Sequence, residues 1–224
     1  MNVRQTEEEY KTFQNNRRNR QLLLAGLFLL IIIGGWYYPV LGYSLPLCMV
    51  LGVIIGFFRG RKWCDWCPRG SFFDALIMPI SPKREIPELF KGLPFRIGFL
   101  SFVMLMMAIQ IIIRWPDLYE IGKFFWILLT ATTVLGIILA LIFHQRTWCR
   151  FCPIGTMESL VGGRKHLLQI NSELCTECKL CYKSCPIQNA PFRFKKESLE
   201  IVKYRDCLKC RVCVMACPNQ ALSF

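Results

Sequence analysis

Cys175-Thr-Glu-Cys178-Lys-Leu-Cys181-Tyr-Lys-Ser-Cys185-Pro186 returns 32 residues later as Cys207-Leu-Lys-Cys210-Arg-Val-Cys213-Val-Met-Ala-Cys217-Pro218. Three cysteines two residues apart wrap one iron–sulfur cubane corner by corner, with backbone N–H groups turned towards the sulfides. The fourth cysteine of each run is out of reach of that cubane and serves the other one. The spacing therefore predicts two [4Fe–4S] clusters. Cys175, Cys178, Cys181 and Cys217 hold cluster A; Cys207, Cys210, Cys213 and Cys185 hold cluster B. Structural zinc sites usually show two separated Cys-x-x-Cys pairs instead. Pro186 and Pro218 end the loops, and Gln169–Ile170 is expected to pair with Ala221–Phe224 as a small strand ladder. Residues 166–224 thus read as a small α+β dicluster ferredoxin domain of the bacterial type. Two neighbouring cubanes move single electrons and bind no substrate.

Upstream of this tail the chain changes character. The 224 residues are 54% hydrophobic with a mean hydropathy of +0.35, too apolar for an ordinary soluble protein. Four apolar stretches, Leu22–Tyr38, Leu41–Phe58, Ile97–Ile113 and Phe124–Phe143, each approach the ~17–25 residues that cross a bilayer as a helix. The predicted fold is therefore a membrane all-α domain over residues 21–165, with four transmembrane helices built as a duplicated hairpin. A polar tail, residues 1–20, precedes it, and no cleavable leader is expected there. The net charge of +13 raises nucleic acid as a partner, but Lys and Arg cluster beside the apolar runs, which argues for membrane topology instead. The N-terminal tail, the loop from Arg59 to Arg96 and the segment after Phe143 are rich in basic residues; the opposite side holds only Arg114 and Lys123. The positive-inside rule then predicts a multi-pass protein of the cytoplasmic membrane, with both termini and the ferredoxin domain on the cytoplasmic side. That compartment suits thiolates better than disulfides. Trp36, Tyr37, Tyr38, Trp115, Tyr119 and Trp126 form the expected aromatic belt on the far side.

An internal repeat lies between these regions. Arg61-Lys-Trp-Cys64-Asp-Trp-Cys67-Pro-Arg-Gly-Ser71 aligns with Arg146-Thr-Trp-Cys149-Arg-Phe-Cys152-Pro-Ile-Gly-Thr156. Each copy follows a pair of apolar stretches. Brought together, Cys64, Cys67, Cys149 and Cys152 suit a third [4Fe–4S] cluster, copper or zinc, dithiol exchange, or loops with free thiols. Trp63, Trp66, Trp148 and Phe151 read better as interfacial anchors than as a shield. His144 reads as an interfacial histidine, with a quinone contact as the alternative. Gln110 reads as helix–helix glue, Cys48 as a small apolar residue without a partner, and Asp117 and Glu120 as a solvated loop. Lys195, Lys196, Lys203 and Arg205 read equally as a docking face or a solvated surface.

Paired apolar spans, twin Trp-Cys-x-x-Cys-Pro-x-Gly loops and the eight-cysteine tail resemble the NapH/NosR/CcoG group of membrane iron–sulfur proteins, over residues 20–224. The resemblance is to NapH-type quinol dehydrogenase subunits above all. It implies a membrane-anchored electron-transfer subunit, not itself catalytic, linking the quinone pool to other redox subunits of a larger complex. Two further functions fit the same residues: an assembly factor or copper-related metal reductase using the twin dithiols, and a redox-sensing regulator.

Overall fold

The structure is a computed structural model that describes residues 3–195 and 199–224. Helix α1 runs over Val3–Gly34, and a 3₁₀ turn at Pro39–Tyr43 leads into α2, Ser44–Arg59. Pro46 falls in the first turn of α2, where its missing N–H costs no intrahelical bond. Two short helices follow, α3 (Trp63–Trp66) and α4 (Pro68–Phe72), and α4 runs on into a π-helical turn at Phe73–Ile77. After α5 (Glu88–Lys91) come the long helices α6 (Leu93–Arg114) and α7 (Leu118–Ile142), then α8 (Thr147–Phe151) and α9 (Pro153–Gly162).

Among the described residues, three helical segments are long and apolar enough to cross a membrane: Pro39–Arg59, Leu93–Arg114 and Leu118–Ile142. Most of their apolar surface points outwards, including Phe102, Leu105, Ile112 and Ile113 on α6, which in water would leave a very large exposed patch. The expected stretch Leu22–Tyr38 sits differently. Its first part is the end of α1, a single helix that continues through the basic Arg17, Arg18 and Arg20, and the helix stops at Gly34. Among the described residues, Gln110 makes its side-chain hydrogen bond within its own helix. Its side-chain oxygen accepts from Arg114, one turn on in the same helix, and Arg114 also lies 5.4 Å from the Phe124 ring centre. Asp117 caps α7 by accepting from the backbone N–H groups of Tyr119 and Glu120.

Two apolar cores hold the helices together. One joins Ala25 and Phe28 of α1 to Phe72, Phe73, Leu129, Trp148 and Phe151; the other joins Met49, Val103, Met107, Ile121 and Phe125. Phe151 packs on Phe90 of α5 and Phe99 of α6, with ring centres 5.0 and 5.2 Å apart. Aromatic pairs of this kind contribute about 0.5–1.5 kcal/mol beyond their burial, so they pin α8 to the bundle.

The tail forms a three-stranded antiparallel sheet from β1 (Leu168–Asn171), β2 (Leu199–Val202) and β3 (Leu222–Ser223), in the order β2-β1-β3. Ile170 pairs with Leu222, the ladder the sequence anticipates; β2, opposite Leu168–Asn171, is an addition to it. Short helices α10 (Leu180–Lys183) and α11 (Val212–Met215) carry the third cysteine of each run.

Candidate metal centre

The two cysteine runs adopt the same backbone. Glu177 and Lys179 in the first, and Lys209 and Arg211 in the second, have positive φ between 53° and 63°; Gln188 and Gln220, each three residues after the cysteine of a Cys-Pro, match as well. Left-handed backbone is costly for such side chains, about 1 kcal/mol or more at each, and it concentrates where function requires it. It turns successive N–H groups inward into an anion-binding nest, a feature of many iron–sulfur sites. The N–H groups of Asn189 and Ala221 donate to the sulfurs of Cys185 and Cys217, at 3.3 and 3.4 Å.

Two cavities follow from this arrangement. Cys175, Cys178, Cys181 and Cys217 line one of them; Cys185, Cys207, Cys210 and Cys213 line the other. The fourth cysteine of each run therefore opens on the cavity of the other run. Cys181 and Cys213 are buried, whereas Cys178 is exposed.

The twin loops are also built alike. In each, a short helix ends at a cysteine with extended backbone, Cys67 (ψ 124°) or Cys152 (ψ 131°), and the following proline opens the next helix. A residue before proline is pushed to extended geometry, and proline is pre-set for the first helical position, so Cys-Pro is the hinge of both loops. Each loop then reaches into the other. Arg61 of the first donates to the Cys149 carbonyl, and Arg146 of the second donates to the Cys64 carbonyl at 3.2 Å and to the Cys149 sulfur at 3.6 Å. A side chain on Gly70 would collide with Arg146, and one on Gly155 with Arg61, so the glycine of each motif makes room for the arginine of the other.

These contacts gather Cys64, Cys67, Cys149 and Cys152 around one cavity of about 70 Å³. The tail cavities are about 20 Å³ each, so the loop cavity is the roomiest of the three. Cys48 of α2 lines it too, which corrects its expected isolation: α2 packs directly over the loops. Among the described residues no three of His, Cys, Asp and Glu converge tightly enough for a single ion. The thiols line cavities instead.

Comparison with known proteins bears directly on these cavities. Residues 167–218 match the family model of the 4Fe-4S dicluster domain. The chain carries 4Fe–4S binding domains. A second model, the 4Fe-4S binding domain, matches residues 41–87 and 124–171, two intervals that each contain one of the twin loops. Two proteins of Methanocaldococcus jannaschii are similar: uncharacterized protein MJ0749, 22% identical over 69% of this chain and 67% of its own length, and uncharacterized protein MJ0750, 24% identical over 62% and 64%. The putative electron transport protein YccM of Escherichia coli K12 is 26% identical over 66% of this chain. The match spans less than half of YccM, at 47%, and less than two thirds of MJ0750. No solved structure matches the chain significantly.

The dicluster domain is clasped to the loops. Its Asp206 receives Arg96 at 2.5 Å, Arg61 at 3.5 Å, Arg150 at 3.7 Å and the Ser159 hydroxyl at 3.0 Å. Lys62 donates to the Lys209 carbonyl, Arg150 to Asn189, and Tyr182 to Glu85. Inside this polar ring Cys64 packs with Ile187 and Leu208, flanked by Cys185 and Cys210. An apolar bridge thus joins the loop cavity to one cavity of the dicluster domain.

Burial pushes the thiols of Cys67 and Cys210 up to about 12, and those of Cys64, Cys185 and Cys213 above their ordinary value. They are neutral as free thiols, and a bound metal core draws off their protons. Asp74 and Asp206 move the other way. Burial alone would raise both; Arg146 overrides it at Asp74, and Arg61, Arg96 and Arg150 at Asp206, so both carboxyls lie below the usual range. A depressed carboxyl stabilises the fold above its unfolded value, roughly pH 4, and that stability is lost as pH falls through the folded value. The melting temperature in detergent is therefore expected to hold from pH 7 to about pH 4 and then drop. A D74N/D206N double variant is expected to start lower and show a shallower acid limb; an unchanged acid limb counts against these pairs.

Several expectations are corrected here. Trp63 and Trp148 line the loop cavity, so these two shield rather than anchor; Phe151 is buried in the helical core, and Trp66 alone of the four is exposed, under the Arg20 guanidinium. His144 is buried rather than interfacial. Its Nδ1 accepts from the Arg146 backbone, and burial lowers its pKa to about 4, so it is a neutral brace for α8. Lys195 pairs with Glu177 at 3.3 Å, while Lys196 lies outside the described residues. Asp74 and Asp206 carry no signal in the sequence, whereas Gly70 and Gly155 are the shared glycine of the repeat, and Arg61 and Arg146 also stand at matching positions of it.

Proposed function

We propose that this chain is a membrane-anchored electron-transfer subunit, passing electrons through [4Fe–4S] clusters between the quinone pool and a partner redox protein. The observation that carries this reading is the apolar bridge from Cys64 through Ile187 and Leu208 to Cys185 and Cys210, which joins the loop cavity to the cavity of the second run; Cys181 and Cys213 share one core and link that cavity to the third. In that series Cys64, Cys67, Cys149 and Cys152 hold the cluster at the membrane end. Cys207, Cys210, Cys213 and Cys185 hold the middle one, and Cys175, Cys178, Cys181 and Cys217 the outer one, beside the exposed Cys178. The clusters supply one-electron chemistry. The chain holds them in register, keeps water from the membrane end with Trp63 and Trp148, and locks the dicluster domain in place through Asp206. The similarity to the putative electron transport protein YccM is in keeping with this.

The apolar end of α1 serves as the fourth span in this reading. Arg17 and Arg20 of α1 pair with Asp65 and Asp74, and Arg61, Arg96 and Arg150 with Asp206, so the basic segments share one end of the bundle. The positive-inside rule makes that end cytoplasmic.

Iron and acid-labile sulfide counted in the anaerobically purified chain test the proposal. About twelve iron atoms per chain are expected, with all clusters reducible by quinol when partner subunits are present. About eight iron atoms with tightly bound copper points instead to the metal-reductase reading, and clusters that no quinol reduces sever the quinone link.

A further inference from the structure

Arg69 stands apart from the other loop arginines. It lines the five-thiol cavity and a second, apolar cavity between α2, α6 and α7. Its guanidinium lies 4.5 Å from the centre of the Trp148 ring. Its Nε and Nη2 are shut off from solvent and have no hydrogen-bond partner. Among the described residues lining the cavity there is no Asp, Glu or His. Arg61 has Asp206 and Arg146 has Asp74, so both of those charges are matched. The position equivalent to Arg69 in the second loop is Ile154, so the loop geometry itself does not need a cation there.

A half-buried guanidinium with two N–H groups shut off from water and no counter-charge is disfavoured, and stacking on tryptophan offsets only part of that cost. The balance calls for an anion in the cavity. Four thiolates around an oxidised cubane form a net dianion, and one added electron deepens that charge.

We propose that Arg69 is the charge partner of an iron–sulfur cluster held by Cys64, Cys67, Cys149 and Cys152, offering its free N–H groups to sulfur and favouring the reduced form. The inference rests on the cluster reading of the loop cavity. It makes the membrane-end cluster easier to reduce than its thiolate set alone would, a bias that only one of the two loops supplies.

The test is an EPR-monitored redox titration, with iron counts, of the purified cluster-loaded chain and its R69Q and R69K variants, using dithionite as reductant. In R69Q the membrane-end cluster is expected to titrate at a more negative potential. The reduced-to-oxidised ratio at fixed potential should fall about tenfold, equivalent to about 59 mV for one electron. R69K, which keeps the charge, should restore most of that loss. The signals of the dicluster domain should not move in either variant. Full iron with an unshifted potential in R69Q overturns the inference and reduces Arg69 to a stacking partner of Trp148. A wild-type chain with no iron at the twin loops overturns the cluster reading itself, which the iron count shows separately from the potential.

Discussion

Replacing Asp74 with alanine is expected to destabilise the folded chain by about 3–5 kcal/mol, the range for removing one partner of a buried ion pair. Asp74 faces Arg146 with both oxygens, taking Nε and Nη2 at 2.7 Å each, and Arg146 is completely buried. Gln21 at 2.6 Å and Arg17 at 3.2 Å complete its shell, so the same carboxylate ties α1 to the second loop. Without it, Arg146 remains in the core with a carbonyl and a thiol as its nearest acceptors. The cost reaches the cavity directly, because Arg146 holds the Cys64 carbonyl and the Cys149 sulfur. Iron at the twin loops should fall together with thermal stability. Combining D74A with R146M should recover much of the loss, since the stranded charge is then gone. A single D74A variant that melts within 1 °C of the parent and keeps all its iron rules this account out.

Changing Cys185 to serine is expected to abolish one cluster signal of the dicluster domain, and that signal should belong to the second cysteine run. Cys185 follows Cys175, Cys178 and Cys181 in sequence, yet it lines the cavity of Cys207, Cys210 and Cys213. C185S and C210S should therefore erase the same EPR species, and C217S and C178S the other. About four iron atoms should leave in each case. If C185S instead erased the species lost in C178S, the crossed ligand sets would be wrong. Because the cavity of Cys185 and Cys210 adjoins Cys64, C185S should also cut electron flow from the membrane end, with the outer cluster still assembled.

The parts of this protein that sequence reveals are those set by short spacing. A Cys-x-x-Cys-x-x-Cys run has little freedom in how it surrounds a cubane, and the crossing of its fourth member follows from reach alone. The apolar lengths of α2, α6 and α7 are similarly local. The parts that stayed hidden depend on distant partners. Arg61 meets Cys149, and Arg146 meets Asp74, across more than 70 residues, and nothing in either segment names the other. Trp148 looks like an interfacial anchor because composition does not distinguish an aromatic ring against lipid from one sealed in a core. Strand β2 carries no cysteine and is short, so only its pairing with Leu168–Asn171 marks it as part of the sheet.

The reciprocal reach of Arg61 and Arg146 has a consequence for how such a chain is divided. Neither half contains a finished loop: each glycine gap is filled only by the other half's arginine. Residues 1–116 and 117–224, produced as separate polypeptides, would each present an open socket and a protruding plug. Co-expressed, they have the means to find one another. A protein holding a single such loop would meet the same need only by embracing a second molecule of itself.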